Sequence, residues 1–253
     1  MPLAAFDIEI AQEIPDGETD WTRIRPGVSC AAIALEGMGD PRTTADPRGE
    51  PGLFDPTTHA LTRDGASRLV DALQEAVRDG YTLVTWNGVG FDFPVLAEQS
   101  GRHEECVKLA MASVDMMFHL FCVKGHPLAL DSALVGMGLE GKAKSVKGEG
   151  GQPVEVSGKD APRLWQAGEY SAVLAYCAAD VRRTLALALE CRKLGYLAWT
   201  SRAGKRNRLE LPGGWLPARE CLKLPEPDTS WMSDPPTRVR YVAWMARPTP
   251  SSA

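Results

Sequence analysis

Long apolar runs, paired cysteines, close-set histidines and basic charge are all scarce in this chain, and each scarcity removes a class of function. No apolar stretch approaches the roughly 18 residues that a membrane-spanning helix needs. Met1 to Phe6 has neither a basic n-region nor a long apolar core, so a secretory leader is not expected and a cytoplasmic location is. Cys30, Cys106, Cys122, Cys177, Cys191 and Cys221 form no C-x-x-C pair. Several lie in apolar runs, where a thiol packs as a small hydrophobe, so neither a disulfide framework nor a zinc site is indicated. His59, His103, His119 and His126 lack the spacing of a histidine metal site, so any bound metal falls to carboxylates. A net charge of −5 excludes a protein that coats nucleic acid by bulk electrostatics. It leaves room for an enzyme that meets nucleic acid in one cleft.

The 253 residues suffice for one substantial domain with an appendage. Leu3 to Ile10 and Val28 to Leu35 read as neighbouring buried strands, separated by a polar, turn-rich segment from Asp16 to Gly27. Gly37 to Pro56, dense in Gly, Pro, Asp and Arg, reads as an exposed excursion. From Thr62 to Asp79, apolar residues at three-and-four spacing predict an amphipathic helix ended by Gly80. Tyr81 to Thr85 predicts a strand, and Phe91 to Gln99 a helix. The apolar run Val107 to Val123 fits either class. Leu128 to Met137 reads as helical, Gly141 to Lys159 as a mobile Gly- and Lys-rich loop, and Ala161 to Leu194 as strongly helical. After Arg202 come basic residues and then a Pro-rich stretch with Trp215 and Trp231. Val239 to Met245 fits a short strand or helix, and Pro248 to Ala253 a frayed end. These features divide the chain into a domain over 1–200 and an extension over 201–253 that packs on the domain or grips substrate.

Three segments carry chemistry. In Phe6-Asp7-Ile8-Glu9-Ile10 the two acids are two apart, so on a strand they share a face opposite the apolar residues. Side-by-side buried carboxylates repel unless a cation lies between them. In Trp86-Asn87-Gly88-Val89-Gly90-Phe91-Asp92, a strand ends in a glycine-containing turn and Asp92 opens a helix. Tyr176 and Asp180 are four apart and share a helix face, with Cys177, Ala178 and Ala179 between them.

In this order the segments resemble the motifs of the DEDD superfamily of 3′–5′ exonucleases, also called DnaQ-like. Asp7-x-Glu9 is similar to the first motif, Asn87 with Phe91-Asp92 to the second, and Tyr176-x-x-x-Asp180 to the third of the tyrosine (DEDDy) branch. The histidine branch would place His where Ala175 stands. Val114-Asp115-Met116 and Leu130-Asp131-Ser132 through Gly141-Lys142 look like segments of family B polymerase proofreading relatives. The resemblance spans about residues 3 to 195 (judged by motif order and periodicity).

The resemblance implies an α/β, RNase H-like fold with a central mixed sheet flanked by helices. Asp7, Glu9 and Asp180 would hold one divalent cation, and Asp7 with Asp92 a second; oxygen ligands favour Mg²⁺ or Mn²⁺. Two such cations stabilise the attacking and leaving oxygens of a phosphodiester displacement. Tyr176 would orient the attacking water, and nucleoside 5′-monophosphates would leave. Ile10, Trp86, Asn87 and Phe91 are candidates for the terminal-nucleotide pocket, with core packing the more common role for Trp86 and Phe91, and Lys142, Lys144 and Lys147 are candidates for phosphate contacts or form a solvated basic loop. The expected substrate is the 3′ end of single-stranded DNA, with a polymerase or repair protein as a partner. RNA, as in RNase D-like enzymes, is the alternative. An inactive binding module and an internally cutting RNase H-type nuclease rank below both, because all four acids and the tyrosine are present.

Overall fold

The structure is a computed structural model that describes residues 1–15, 24–44, 46–143 and 145–246. Strands β1 (Leu3–Ile10), β2 (Val28–Leu35), β3 (Arg42–Thr43), β4 (Thr82–Thr85) and β5 (Val114–Asp115) form a five-stranded sheet in the order β3-β2-β1-β4-β5. β1 is antiparallel to β2 and parallel to β4, β4 is parallel to β5, and β3 pairs antiparallel with the outer edge of β2. This is the mixed, helix-flanked α/β architecture that the family resemblance implies and with which the alternation of strands and helices agrees.

The alternation of β1 separates its two faces. Phe6 packs its ring 5.8 Å from Phe93, on α2 (Asp92–Ser100), beneath the helices α1 (Arg63–Arg78) and α3 (His103–Ala112). Asp7 and Glu9 point to the other face, covered by α7 (Tyr170–Leu194), whose Cys177 Sγ lies 3.6 Å from the Asp7 carbonyl. The β1–β2 register slips between Glu9 and Ile10, since Glu9 faces Cys30 whereas Ile10 faces Val28. Such a bulge re-aims the adjacent side chain.

Several local expectations change. The run Val107 to Val123 resolves into α3, the two-residue β5 and α4 (Met116–Lys124), with Ser113 and Asp115 as breakpoints. Leu128 to Met137 narrows to α5 (Leu130–Gly136). The Gly- and Lys-rich loop contains a hairpin, β6 (Ser145–Lys147) with β7 (Pro153–Glu155). Its tip is tied down by Glu149, which accepts from the Ser171 amide and pairs with Arg48. The long helical stretch is broken into α6 (Ala161–Gln166) and α7, because Gly168 takes φ +85° and turns the chain between them. The exposed excursion includes β3 and a single 3₁₀ turn at Pro51–Leu53. Residues 16–23 of the turn-rich segment and 248–253 lie outside the described residues.

Past α7 the chain forms a hairpin, β8 (Tyr196–Thr200) with β9 (Arg206–Glu210), which crosses position 200 and packs Leu197, Trp199 and Leu209 into one core with α5. Next come α8 (Ala218–Cys221) and α9 (Val239–Val242), the latter continued by a 3₁₀ turn at Ala243–Ala246. The segment 239–245 is therefore helical. Arg238 anchors it by donating to the carbonyls of Cys122, Leu222, Leu224 and Pro225.

His119 on α4 also holds this region, because its Nδ1 accepts from the Leu216 amide at 3.3 Å and its ring meets Trp215 edge-on at 5.5 Å. Burial pushes its pKa down to about 4. A folded value below the unfolded 6.5 means that the contribution is complete above about pH 6.5 and is lost as pH falls toward 4. The loss amounts to about 3 kcal/mol. Urea denaturation at pH 7.5 and pH 5 should therefore show a larger acid loss in wild type than in His119→Gln. Equal losses would mean that His119 titrates normally.

Candidate active site

The acids converge where β1, the loop after β4 and α7 meet. Asp7 and Glu9 arrive from the central strand. Asp92 opens α2, and its Oδ1 accepts from the Ile8 amide at 3.0 Å, fastening the helix start to β1. Asp180 arrives from α7, one turn after Tyr176. Glu9, Asp92, Asp180 and Tyr176 are buried, whereas Asp7 keeps partial exposure.

The electrostatics are those of uncompensated negative charge. Burial first, and then Asp92, Glu9 and Asp180, raise the Asp7 pKa well above the usual carboxylate range. Glu9 is raised by burial, with Cys30 and Asp180 adding to it. Asp92 is raised by burial, partly relieved by the Ile8 amide. Asp180 is raised by burial against the pull of Lys142. Lys142 lays its ammonium against Asp180 Oδ2, 5.0 Å from the Tyr176 ring centroid. Burial works against that ammonium, but Asp180 and Tyr176 outweigh it and keep it charged. Tyr176 is pushed upward by burial and by Asp180, so it is a neutral phenol that hydrogen-bonds, not a base.

Hard divalent cations fit this donor set. Ligand atoms of Asp7, Glu9 and Cys177 lie within 4.8 Å of one another, and Asp180 Oδ1 is buried without a hydrogen-bond partner among the described residues. An orphaned carboxylate oxygen beside three further acids is a position that a cation would satisfy. Cys177 was not among the predicted site residues. Its Sγ stands beside the acids, but hydrogen bonding to Cys30 and burial hold it as a thiol, far from the thiolate that binds metal.

Beside the acids lies a cleft of about 620 Å³ lined by Ile10, Glu13, Ile14, Pro15, Phe91, Gly158, Lys159 and Pro162. Ile10 and Phe91, each next to an acid in sequence, thus line a cavity. A Cβ on Gly158 would stand 3.9 Å from the Tyr176 hydroxyl, which joins the cleft to the acids. Ile14, Gly158 and Lys159 carried no motif by which the sequence could announce them. Trp86 and Asn87 are not among the residues that line this cleft. Trp86 donates its indole N–H to the Leu128 carbonyl at 3.1 Å and packs beside α4. Asn87 takes φ +71°, a left-handed turn conformation that Asn tolerates, and its Oδ1 is buried without a partner among the described residues. Lys144 lies outside the described residues, and Lys147 sits exposed on β6.

The turn holding Asn87 depends on Asp115, which accepts from the amides of Asn87 (2.9 Å), Val89 (2.8 Å) and Phe118 (2.9 Å). Trp244 donates to the Val89 carbonyl at 2.8 Å, and Tyr241 packs against Gly90, so α9 and its 3₁₀ continuation brace the same turn from outside.

A mixed sheet in this order, with acids gathered on its central strand and on the helix that crosses it, defines an RNase H-like α/β protein. A family model for the RNase H superfamily matches residues 57–190, more than half of the chain, and the protein belongs to that superfamily. The matched span includes Asp92, Tyr176 and Asp180 but not Asp7 and Glu9. Among solved structures, the chain is similar to a moderately thermophilic exonuclease I from Methylocaldum szegediense, at 18% identity and a TM-score of 0.34. That likeness covers 76% of this chain and 40% of the other, so the chain spans less than half of that protein. No curated protein matches. None of the helices among the described residues is long and apolar enough to cross a membrane.

Proposed function

We propose that the protein is a metal-dependent 3′–5′ exonuclease of the tyrosine-bearing DEDD type, acting on single-stranded DNA and releasing nucleoside 5′-monophosphates. The observation that carries the reading is the meeting of Asp7, Glu9, Asp92 and Asp180 with the neutral phenol of Tyr176 beside an open cleft. Asp7, Glu9 and Asp180 are the residues to hold one divalent cation, and Asp7 with Asp92 the second. Bound there, Mg²⁺ or Mn²⁺ supplies Lewis acidity to the attacking and leaving oxygens. Tyr176 donates a hydrogen bond that orients the attacking water. Ile10 and Phe91 flank the terminal nucleotide in the cleft, and Lys159 on its wall is a phosphate contact. Lys142 neutralises Asp180 until a cation takes over that charge. In this reading the nuclease domain runs from residue 1 through the β8–β9 hairpin to Glu210, the described residues after it brace its turn, and a polymerase or repair protein supplies the 3′ ends in the cytoplasm.

The test uses matched 5′-labelled single-stranded DNA and RNA oligonucleotides with Mg²⁺, Mn²⁺ or EDTA. A metal-dependent ladder shortening from the 3′ end, faster on DNA, is expected. A faster RNA ladder would shift the reading to an exoribonuclease, and no cleavage of either would sink it. Tyr176→Phe should slow the ladder about 100-fold, the lower range for a positioned proton-handling group. Mn²⁺ binding by calorimetry should stay unchanged; a variant that bound no Mn²⁺ would give Tyr176 a different role.

A further inference from the structure

We infer that Trp244 and Tyr241, on the strap formed by α9 and its 3₁₀ continuation, are positioning residues that set Asp92 among the acids, and with it the second cation position. The inference rests on the exonuclease reading for the cation, but not for the placement of Asp92.

The turn from Asn87 to Phe91 holds little of its own shape. Gly88 and Gly90 give its backbone wide freedom, and Asn87 sits in a left-handed conformation. Phe91 occupies the N-cap of α2, where a phenyl ring has no oxygen to offer the first amides. The shape therefore comes from the neighbours, which grip Val89 from two sides. Its amide donates to Asp115 Oδ2 at 2.8 Å, and its carbonyl accepts the Trp244 indole N–H at 2.8 Å. Tyr241 closes the turn further along: a Cβ on Gly90 would stand 2.7 Å from its ring and 2.8 Å from Asn87 Oδ1.

The two aromatic residues are themselves fixed. Trp244 is buried with its ring edge-on to His103 at 5.7 Å, and His103 Nε2 lies 3.2 Å from the Met245 carbonyl oxygen. The Tyr241 ring centroid lies 5.6 Å from that of Phe118 and 4.6 Å from that of Phe121. α3 and α4 thus anchor the strap, and the strap anchors the turn.

The turn passes directly into the acids. The Phe93 amide donates to the Gly88 carbonyl at 2.9 Å, so the first turn of α2 is built on it. Asp92 follows three residues after Val89, and its Oδ1 accepts from the amide of Ile8, the residue between Asp7 and Glu9 on β1. Asp92 is thus suspended between β1 on one side and the strap-held turn on the other. A buried indole N–H ordinarily finds some acceptor; here the acceptor belongs to the segment that delivers a candidate ligand. The first cation position, of Asp7, Glu9 and Asp180, contains no residue of the turn, so the strap acts on the second.

The test uses Trp244→Phe, which keeps a ring but loses the donor, in protein labelled with [¹⁵N]isoleucine. The chain has only five isoleucines, and Ile8 is the one whose amide donates to Asp92. Without metal, the Ile8 amide proton resonance should move upfield as that bond lengthens, while that of Ile33 on β2 stays in place. A native-state resonance does not follow overall stability, so a folding role alone would leave both unmoved. Mn²⁺ titration, read by the EPR signal of the free ion, should show two ions bound by wild type. The variant should keep one affinity and lose about tenfold in the other. If Trp244→Phe does not fold, Tyr241→Leu keeps the donor, withdraws the ring from Gly90 and gives the same two readings. An Ile8 resonance at its wild-type position in the folded variant would overturn the inference and leave the strap a brace for stability alone. Two unaltered Mn²⁺ affinities would overturn it as well. If wild type binds no Mn²⁺ and cleaves neither oligonucleotide while the Ile8 resonance still moves, the placement of Asp92 by the strap stands and the exonuclease reading falls.

Discussion

Asp7→Asn should abolish hydrolysis and, at the same time, make the metal-free protein harder to melt. Cation binding contributes several kcal/mol to the transition state of phosphodiester cleavage, so losing the acid common to both proposed cation positions should lower kcat about 1000-fold or more. Stability should move the other way, because Asp7 is raised by burial and by its three acidic neighbours, and its charge strains the metal-free fold. A folded pKa above the unfolded value makes stability fall as pH rises from about 4 through the folded pKa. At neutral pH the amide variant escapes that penalty. A rise in Tm of about 2–4 °C in EDTA, corresponding to ~1 kcal/mol for a chain of this size, is expected. Added Mn²⁺ should then raise the Tm of wild type more than that of Asp7→Asn. A variant that melted lower in EDTA would show that Asp7 is a structural acid.

Asp115→Ala should be the most destabilising single change at the site, although Asp115 takes no part in the chemistry. Two buried amides, those of Val89 and Phe118, and the partly buried amide of Asn87 would lose their acceptor at once. Each buried donor left unmade costs about 1–3 kcal/mol, and water recovers part of it, so a loss of about 3–5 kcal/mol is expected in urea denaturation. Hydrolysis should fall as well, because the turn places Asp92 at its helix start. Asp115→Asn keeps an acceptor and should cost less than half as much. If both variants unfolded at the wild-type urea concentration, the turn would not depend on Asp115.

Much of the fold was legible because its periodicities are strong. β1 shows its two faces through the alternation of Phe6, Ile8 and Ile10 with Asp7 and Glu9, and α1 shows its buried stripe through Ala66, Leu69, Val70 and Leu73. The four acids and Tyr176 were legible as candidates because their spacings are local. What brings them together is not local. Lys142 reaches Asp180 across a loop whose composition announces flexibility but whose hairpin closes by a few backbone pairs. The break between α6 and α7 was hidden because apolar spacing continues through it, and only the left-handed Gly168 interrupts the backbone. Asp115 stood out only within a segment resembling polymerase proofreading relatives, and its role did not show, since nothing in a sequence tells a carboxylate that holds buried amides from one that faces water. Trp86 was a pocket candidate with core packing as its more common alternative, and the structure places it partly buried against two apolar clusters.

The bond from Trp244 to the Val89 carbonyl joins positions 155 residues apart. A chain emerging from the ribosome therefore makes the acids of β1 and the turn after β4 long before it makes the brace that the turn leans on. Order of synthesis and order of completion are opposed, and the candidate centre is finished only after α9 has left the exit tunnel and docked. A nascent chain thus carries its acids early but gains the brace on the turn beside them late.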